Sequence, residues 1–319
     1  ALDISGDVDV DGTLETDNLT IGSAQGSDGQ VLTSTGSGVA WEDAAGGASS
    51  INDLSDAKTF GTGSIMLGDA STGTINAANY NTGVGIDIFA ALTSGDANVA
   101  FGWSALKAVT SASNNVAVGY KSMEDLTTGE QNVALGNSTL MQLTTASNNT
   151  AVGQSGLNAN TTGTGNVAVG HQVMDANTTG DANTAVGKDA LGANTTGNNN
   201  TAVGKDAMLL NTTGAANAAF GYLALDANTT ANGNTAIGYF STSANTTGAD
   251  NTALGAASLL ENTTGDFNVA LGTAALDANT TADNNVAVGH NALGASTTAA
   301  DNVAVGKDAL AATNNTRNM

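Results

Sequence analysis

A glycine returns every 17 residues from Gly68 to Gly306 without a slip, giving fifteen positions and fourteen equal intervals. A fixed period near 20 residues marks a solenoid, in which one repeat forms one coil and coils stack. No insertion interrupts the run, so each coil must lie in register on the next. The repeat predicts an all-β, parallel β-solenoid of 17-residue coils. With strands about 4.8 Å apart, the fourteen steps give a rod of about 70 Å.

The residues around the glycine describe one coil. In Asn183–Asn199 the five residues ending at Gly187 read as a strand. Val186 and its equivalents are Val, Leu, Ile or Phe in all fifteen coils. Thr184, two residues earlier, belongs to a column that is mostly Val or Thr, and the two share a strand face. Ala185 points the other way and is Ala in thirteen of the fifteen coils. A column that accepts only Ala is crowded, so both faces of this strand are expected to be covered. A second short strand is expected around Ala190-Leu191, where a column of Leu and Met fills the coil interior. Asn-Thr-Thr-Gly then turns the chain back. The Asn four places before the glycine recurs in fourteen consecutive coils, Asn81 to Asn302. It can build an amide ladder up the stack or bond only its own turn.

Composition fits this picture. Gly, Ala, Asn and Thr dominate, and aromatic residues are only 4%. Proline is absent, as expected if each backbone N–H is needed by a neighbouring coil. The formal charge of −22, from 29 acids and 7 bases, argues against nucleic acid as a partner, because that needs clustered Lys and Arg. It keeps a long fibre soluble. Cysteine is absent, which removes thiol chemistry. There is no 18-residue apolar run, so no membrane insertion is expected. Four regions separate: a β-rich N-terminal part over 1–47, a connector over 48–64, the array over 65–310 and a tail over 311–319. Within the first, Asp7–Asp11 and Leu19–Ile21 read as short strands, and Gly12, Gly22, Gly26, Gly29, Gly36 and Gly38 as turns.

A 17-residue coil buries three or four small apolar side chains. At about 25 cal/mol per Å² this barely offsets the cost of ordering it, so one face is expected to pack on identical neighbours. Closed symmetry does so without runaway assembly, and three chains around an axis is the favoured arrangement.

The unit Asn-Val-Ala-Val-Gly, at Asn115–Gly119, Asn166–Gly170 and Asn285–Gly289, resembles the head repeat of trimeric autotransporter adhesins. That resemblance covers 65–310 and implies a left-handed β-roll, intertwined or side by side in a homotrimer. The coil is longer here through the Asn-Thr-Thr-Gly turn. Gly29–Trp41, Asp9–Leu14 and Ile51–Ala57 are similar to segments of bacteriophage tail fibres. The two resemblances imply a structural fibre or appendage of a phage virion, adhesive in host attachment. Its N-terminal region would meet other virion proteins, and a host-surface glycan or protein would be the target. A bacterial surface adhesin and an ice-binding solenoid are the alternatives.

Chemistry is sparse. His171 and His290 lie seven coils apart and cannot share a site. Gly153-Gln154-Ser155-Gly156 lacks the nucleophile-elbow spacing. Thr184–Asp189 lacks the glycine and the hydroxyl of a phosphate loop. No catalytic residue and no cofactor are expected. Asp181, Asp266, Asp283 and Asp301 line a coil edge, either as a solvated acidic rim or as calcium ligands. Asn-Thr-Thr occurs eight times, from Asn160 to Asn279, as turn or as glycosylation sequon. One column stands apart, the residue just after the glycine. It holds Trp103, Tyr120, His171, Lys188, Lys205, Tyr222, Tyr239 and His290. Interior columns keep one residue type, so this one is expected to face outward, either as a receptor-contact column or as bulky cover for the coil edge.

Overall fold

The repeat glycines sit where no side chain fits. In the computed structural model their φ values run from +125° to +144°, a region that L-residues avoid. A Cβ on Gly187 would stand 2.5 Å from the carbonyl oxygen of Gly204, one coil on. The 17-residue period is thus held by backbone stacked on backbone. The structure describes residues 58–60, 62–68 and 77–312 in full, and the backbone of four short strands between 20 and 43 and of residue 57. The chain divides into two units, 1–54 and 55–319.

In the first unit β1 (Thr20–Ile21) pairs antiparallel with β2 (Ala24–Gln25), and β3 (Gln30–Ser34) with β4 (Val39–Asp43), setting Leu32 opposite Trp41. The expected strand at Asp7–Asp11, the glycine turns of this region, Ile51–Asp56 and residues 313–319 lie outside the described residues.

The second unit is one 16-stranded sheet without a helix among the described residues. β5 (Ala57–Phe60) pairs antiparallel with β6 (Ser64–Gly68). From β6 onward every pairing is parallel, through β7 (Thr82–Gly85) to the thirteen three-residue strands β8 (Val99–Phe101) to β20 (Val303–Val305). Register is the sequence period itself, with Ala185 opposite Ala202 and Val186 opposite Val203. β5 falls inside the stretch 48–64 expected to be a connector and instead belongs to the sheet.

One expectation about the coil is corrected. No strand forms at Ala190-Leu191. That segment is a run of turns, with Asp189 and Leu191 at φ +56° and +52°. Leu191 is nevertheless fully buried, as are Leu106, Met123, Leu140, Leu157, Met174 and Met208. The left-handed angles bend the chain tightly enough to turn the column inward. Within the single chain the strand is covered on one face, and its other face is left open. The crowding around Ala185 comes from the coil's own interior, where it is fully buried. The Val186 column points out of the chain and is open to solvent. Size compensation marks the second coil, where Gly83 replaces the Ala because a Cβ would lie 2.8 Å from the Phe89 ring.

Backbone hydrogen bonds continue between coils through the turns. Thr178 N–H donates to Thr195 at 2.9 Å, Leu191 to Ala207 at 3.0 Å and Ala193 to Leu209 at 2.9 Å. A proline at any of these would delete a coil-to-coil bond. The Asn four before the glycine does form a ladder. Asn98 Oδ1 accepts from the Asn115 backbone N–H at 3.0 Å and from its Nδ2 at 3.1 Å, and the backbone bond recurs at every step to Asn302.

Candidate functional site

All thirteen residues that follow a repeat glycine from Trp103 to Lys307 are exposed. The geometry that puts them there is local. The glycine's positive φ ends the strand at a corner, and the next residue leaves that corner outward before the turns lead inside. Stacking at one coil per step then makes neighbours of residues 17 apart.

The column divides into patches. Trp103 and Tyr120 pair with ring centroids 5.0 Å apart and a 30° tilt. Lys121 Nζ sits 5.4 Å from the Trp103 ring and 5.9 Å from that of Tyr120. It also bonds Glu124 at 3.0 Å, which raises the lysine's pKa. His171 is exposed. Lys188 bonds Asp189 at 2.7 Å. Lys205 bonds Asp206 and lies 5.1 Å from the Tyr222 ring, a cation over a π face. Tyr222 stacks on Tyr239 at 5.6 Å and 21°. His290 Nδ1 is 4.0 Å from Asp308, whose carboxyl is held below its ordinary pKa first by the Asn291 amide. The structure therefore brings together Trp103 with Tyr120, and Lys205 with Tyr222 and Tyr239. His171 and His290 remain far apart along the stack.

Sequence reasoning missed Phe240. It meets Tyr239 edge-on at 4.5 Å and 76°, and Tyr222 at 5.7 Å and 82°. Its position, one beyond the outward column, is Asp in two of the preceding coils, Asp189 and Asp206. An aromatic residue beside two tyrosines, in a column that is polar from Ser104 to Asp206, was the available signal. Beneath Tyr239 and Phe240 lies a notch of about 490 Å³, mostly apolar, which also involves Ser243, Ala257, Leu260 and Glu261.

The other candidate chemistry is absorbed by the coil. The eight Asn of the Asn-Thr-Thr turns are fully buried, and Asn194 Nδ2 donates to Asn177 Oδ1 at 2.8 Å, building a second amide ladder. Their amides are out of reach of a glycosylating enzyme in the folded chain. Asp181 Oδ1 accepts from Thr164 N–H at 2.7 Å, Asp266 from Ala249 and Asp283 from Asp266. These carboxylates thus hold turns of the preceding coil, and no cluster of three or more His, Cys, Asp or Glu able to hold a metal occurs among the described residues. Of the paired threonines, Thr178 Oγ1 is bound to the Thr195 carbonyl at 3.0 Å, which leaves the single column of Thr179 exposed. Among the described residues no helix is long and apolar enough to cross a membrane. Compared with known protein families, curated proteins and solved structures, the chain matches none of them.

Proposed function

We propose that this chain is the subunit of a homotrimeric structural fibre of a phage virion, a tail fibre or appendage that contributes to host attachment through its outward column. One observation carries the assembly. The outer face of the sheet bears an apolar residue at every coil, from Leu67 through Phe101, Val118, Leu135, Val186, Phe220, Ile237 and Leu254 to Val305, and none of the described residues covers it. Single exposed apolar residues are ordinary, but an in-register ladder of fifteen, about 70 Å long at one strand spacing per coil, marks an interaction surface. Identical, regularly spaced ladders complement one another, and closure around an axis hides each of them. The sequence resemblance to trimeric heads and phage fibre segments supports the same reading. A bacterial surface adhesin would use the same ladder. Ice binding is less well supported, because the exposed threonines form one column where a flat double ladder is wanted.

The test is mass and place. Light scattering of the folded chain should give three times the chain mass of 31.1 kDa. Val186→Lys with Ile237→Lys, both on the outer face, should release monomers that keep their β circular dichroism. A monomer in the unsubstituted chain would overturn the assembly. Antibody labelling of purified particles tests the virion. Loss of attachment on replacing Trp103, Tyr120, Tyr222 and Tyr239 by Ser tests the adhesive role.

A further inference from the structure

The outward column stops being bulky at one step. Lys205 covers one side of Tyr222 and Tyr239 covers the other. The next residue of the column is Ala256, which has nothing to lay on the far face of Tyr239. Exposure records the difference, at 38% for Tyr222 and 59% for Tyr239. Phe240 stands almost perpendicular to that ring, 4.5 Å away. The two rings form a corner, with Ala257 and Leu260 of the following coil among its apolar surfaces and Glu261 beside them.

Besides the Tyr239 hydroxyl, the polar side chains of the notch offer oxygen acceptors. Glu261 contributes a carboxylate. The Ser243 hydroxyl already donates to Asp226, so its oxygen is left to accept. A fitting ligand therefore has one flat C–H face for the Tyr239 ring and several hydroxyl donors along its edge. It is not an anion, because the site is acidic within a chain of charge −22. The same coil also departs from the repeat inside, where Ser241 and Thr242 replace the usual Ala and Leu, so this level of the stack is specialised on both sides.

We infer that the notch between Tyr239, Phe240 and Glu261 binds an uncharged pyranose ring, stacked on Tyr239 and hydrogen-bonded through its hydroxyls to Glu261 and Ser243. This gives a ligand class to the adhesive reading above and rests on its claim that the outward column is a contact surface. Stacking a ring on an aromatic face costs little side-chain entropy. A single shallow site of this kind binds weakly, and repetition around the fibre axis would supply avidity.

Saturation-transfer NMR on the full chain with methyl β-D-glucopyranoside, methyl β-D-galactopyranoside and methyl α-D-mannopyranoside tests it. Transfer to the C–H protons of at least one of them is expected, and its loss in Tyr239→Ala and in Glu261→Ala. Ala256→Tyr is the decisive variant. The column accepts Tyr at 120, 222 and 239, so the fold should hold while the added ring closes the open face and abolishes transfer. No transfer to any of the three glycosides overturns the inference, as does equal transfer in Ala256→Tyr. Saturation of tetramethylammonium without the glycosides would make the corner an organic-cation site and also overturn it. The two readings fail separately: a glycoside signal with unchanged attachment in the fourfold Ser variant sinks the adhesive reading alone, and lost attachment without a glycoside signal sinks this one alone.

Discussion

At the scale of single residues, the array is built on backbone angles that most side chains resist. Besides the repeat glycines, each regular coil places three non-glycine residues near φ +50° to +60°, as at Ala182, Asp189 and Leu191. A left-handed conformation costs an L-residue about 1–2 kcal/mol. Leu191 keeps its place because it fills the interior. Ala182 has no such compensation, being exposed, and the equivalent position already holds Gly165 and Gly233 at φ +67° and +72°. Ala182→Gly should therefore stabilise the chain by about 0.5–1 kcal/mol despite the entropy glycine loses on folding, read as a higher denaturation midpoint. Thr242 is the opposite case. It stands in the interior column between Leu225 and Leu259, and its Oγ1 is buried without a hydrogen-bond partner. The buried apolar core breaks there, ending at Ala236 and resuming at Ala253. Thr242→Leu removes an unsatisfied hydroxyl and restores the column, and should stabilise by about 1–2 kcal/mol. An unchanged or lowered midpoint would show that the break is tolerated by repacking.

The element that stabilises the coil is the ladder. Asn183 Oδ1 accepts from the Asn200 N–H at 2.9 Å, and its Nδ2 donates to the Gly197 carbonyl at 2.8 Å and to Asn166 Oδ1 at 3.2 Å. All of this is buried. Asn183→Ala strands an N–H and a carbonyl together, and each unmet buried group costs about 1–3 kcal/mol. A loss of about 3 kcal/mol is expected, with hydrogen exchange accelerated in the coils on either side, since stability in such arrays is passed between nearest neighbours. Asn183→Asp should not rescue it, because a carboxylate cannot donate to Gly197. Rescue by Asp would show that only the acceptor half of the amide matters. The same ladder was legible from spacing alone as one of two readings of the Asn column. What decided between them was the distance between coils, which brings Oδ1 within reach of the next backbone N–H.

Across the whole molecule, charge and burial act together. Asp125, Asp175, Asp226 and Asp277 have pKa values raised above the ordinary 3.8, each first through desolvation. A folded-state pKa above the unfolded one means that folding favours the protonated form. Stability from these groups is full below the unfolded value and is lost as pH rises through the folded ones. Acidification from neutrality also lowers the repulsion among 29 acids. The melting temperature should therefore be higher at about pH 5 than at about pH 7.5, and Asp226→Asn should narrow the difference. A melting temperature that falls steadily with acidification would contradict both causes.

The period, its register, the inward Leu and Met column and the outward column after the glycine are all readable from one sequence. A repeat with no insertion leaves one way to stack, and a column's tolerance reports its surroundings. Three things needed the tertiary structure. Ala185 and Val186 alternate along the strand, but which of them faces the interior depends on how tightly the following turns close, and the left-handed angles at Asp189 and Leu191 set that curvature. The side chains of Asp181 and Thr178 look free in the sequence, yet both are spent on backbone groups of adjacent coils. The notch at Tyr239 exists because residues 17 and more apart in sequence, Ala256 and Glu261 among them, become neighbours only when one coil is laid on the next.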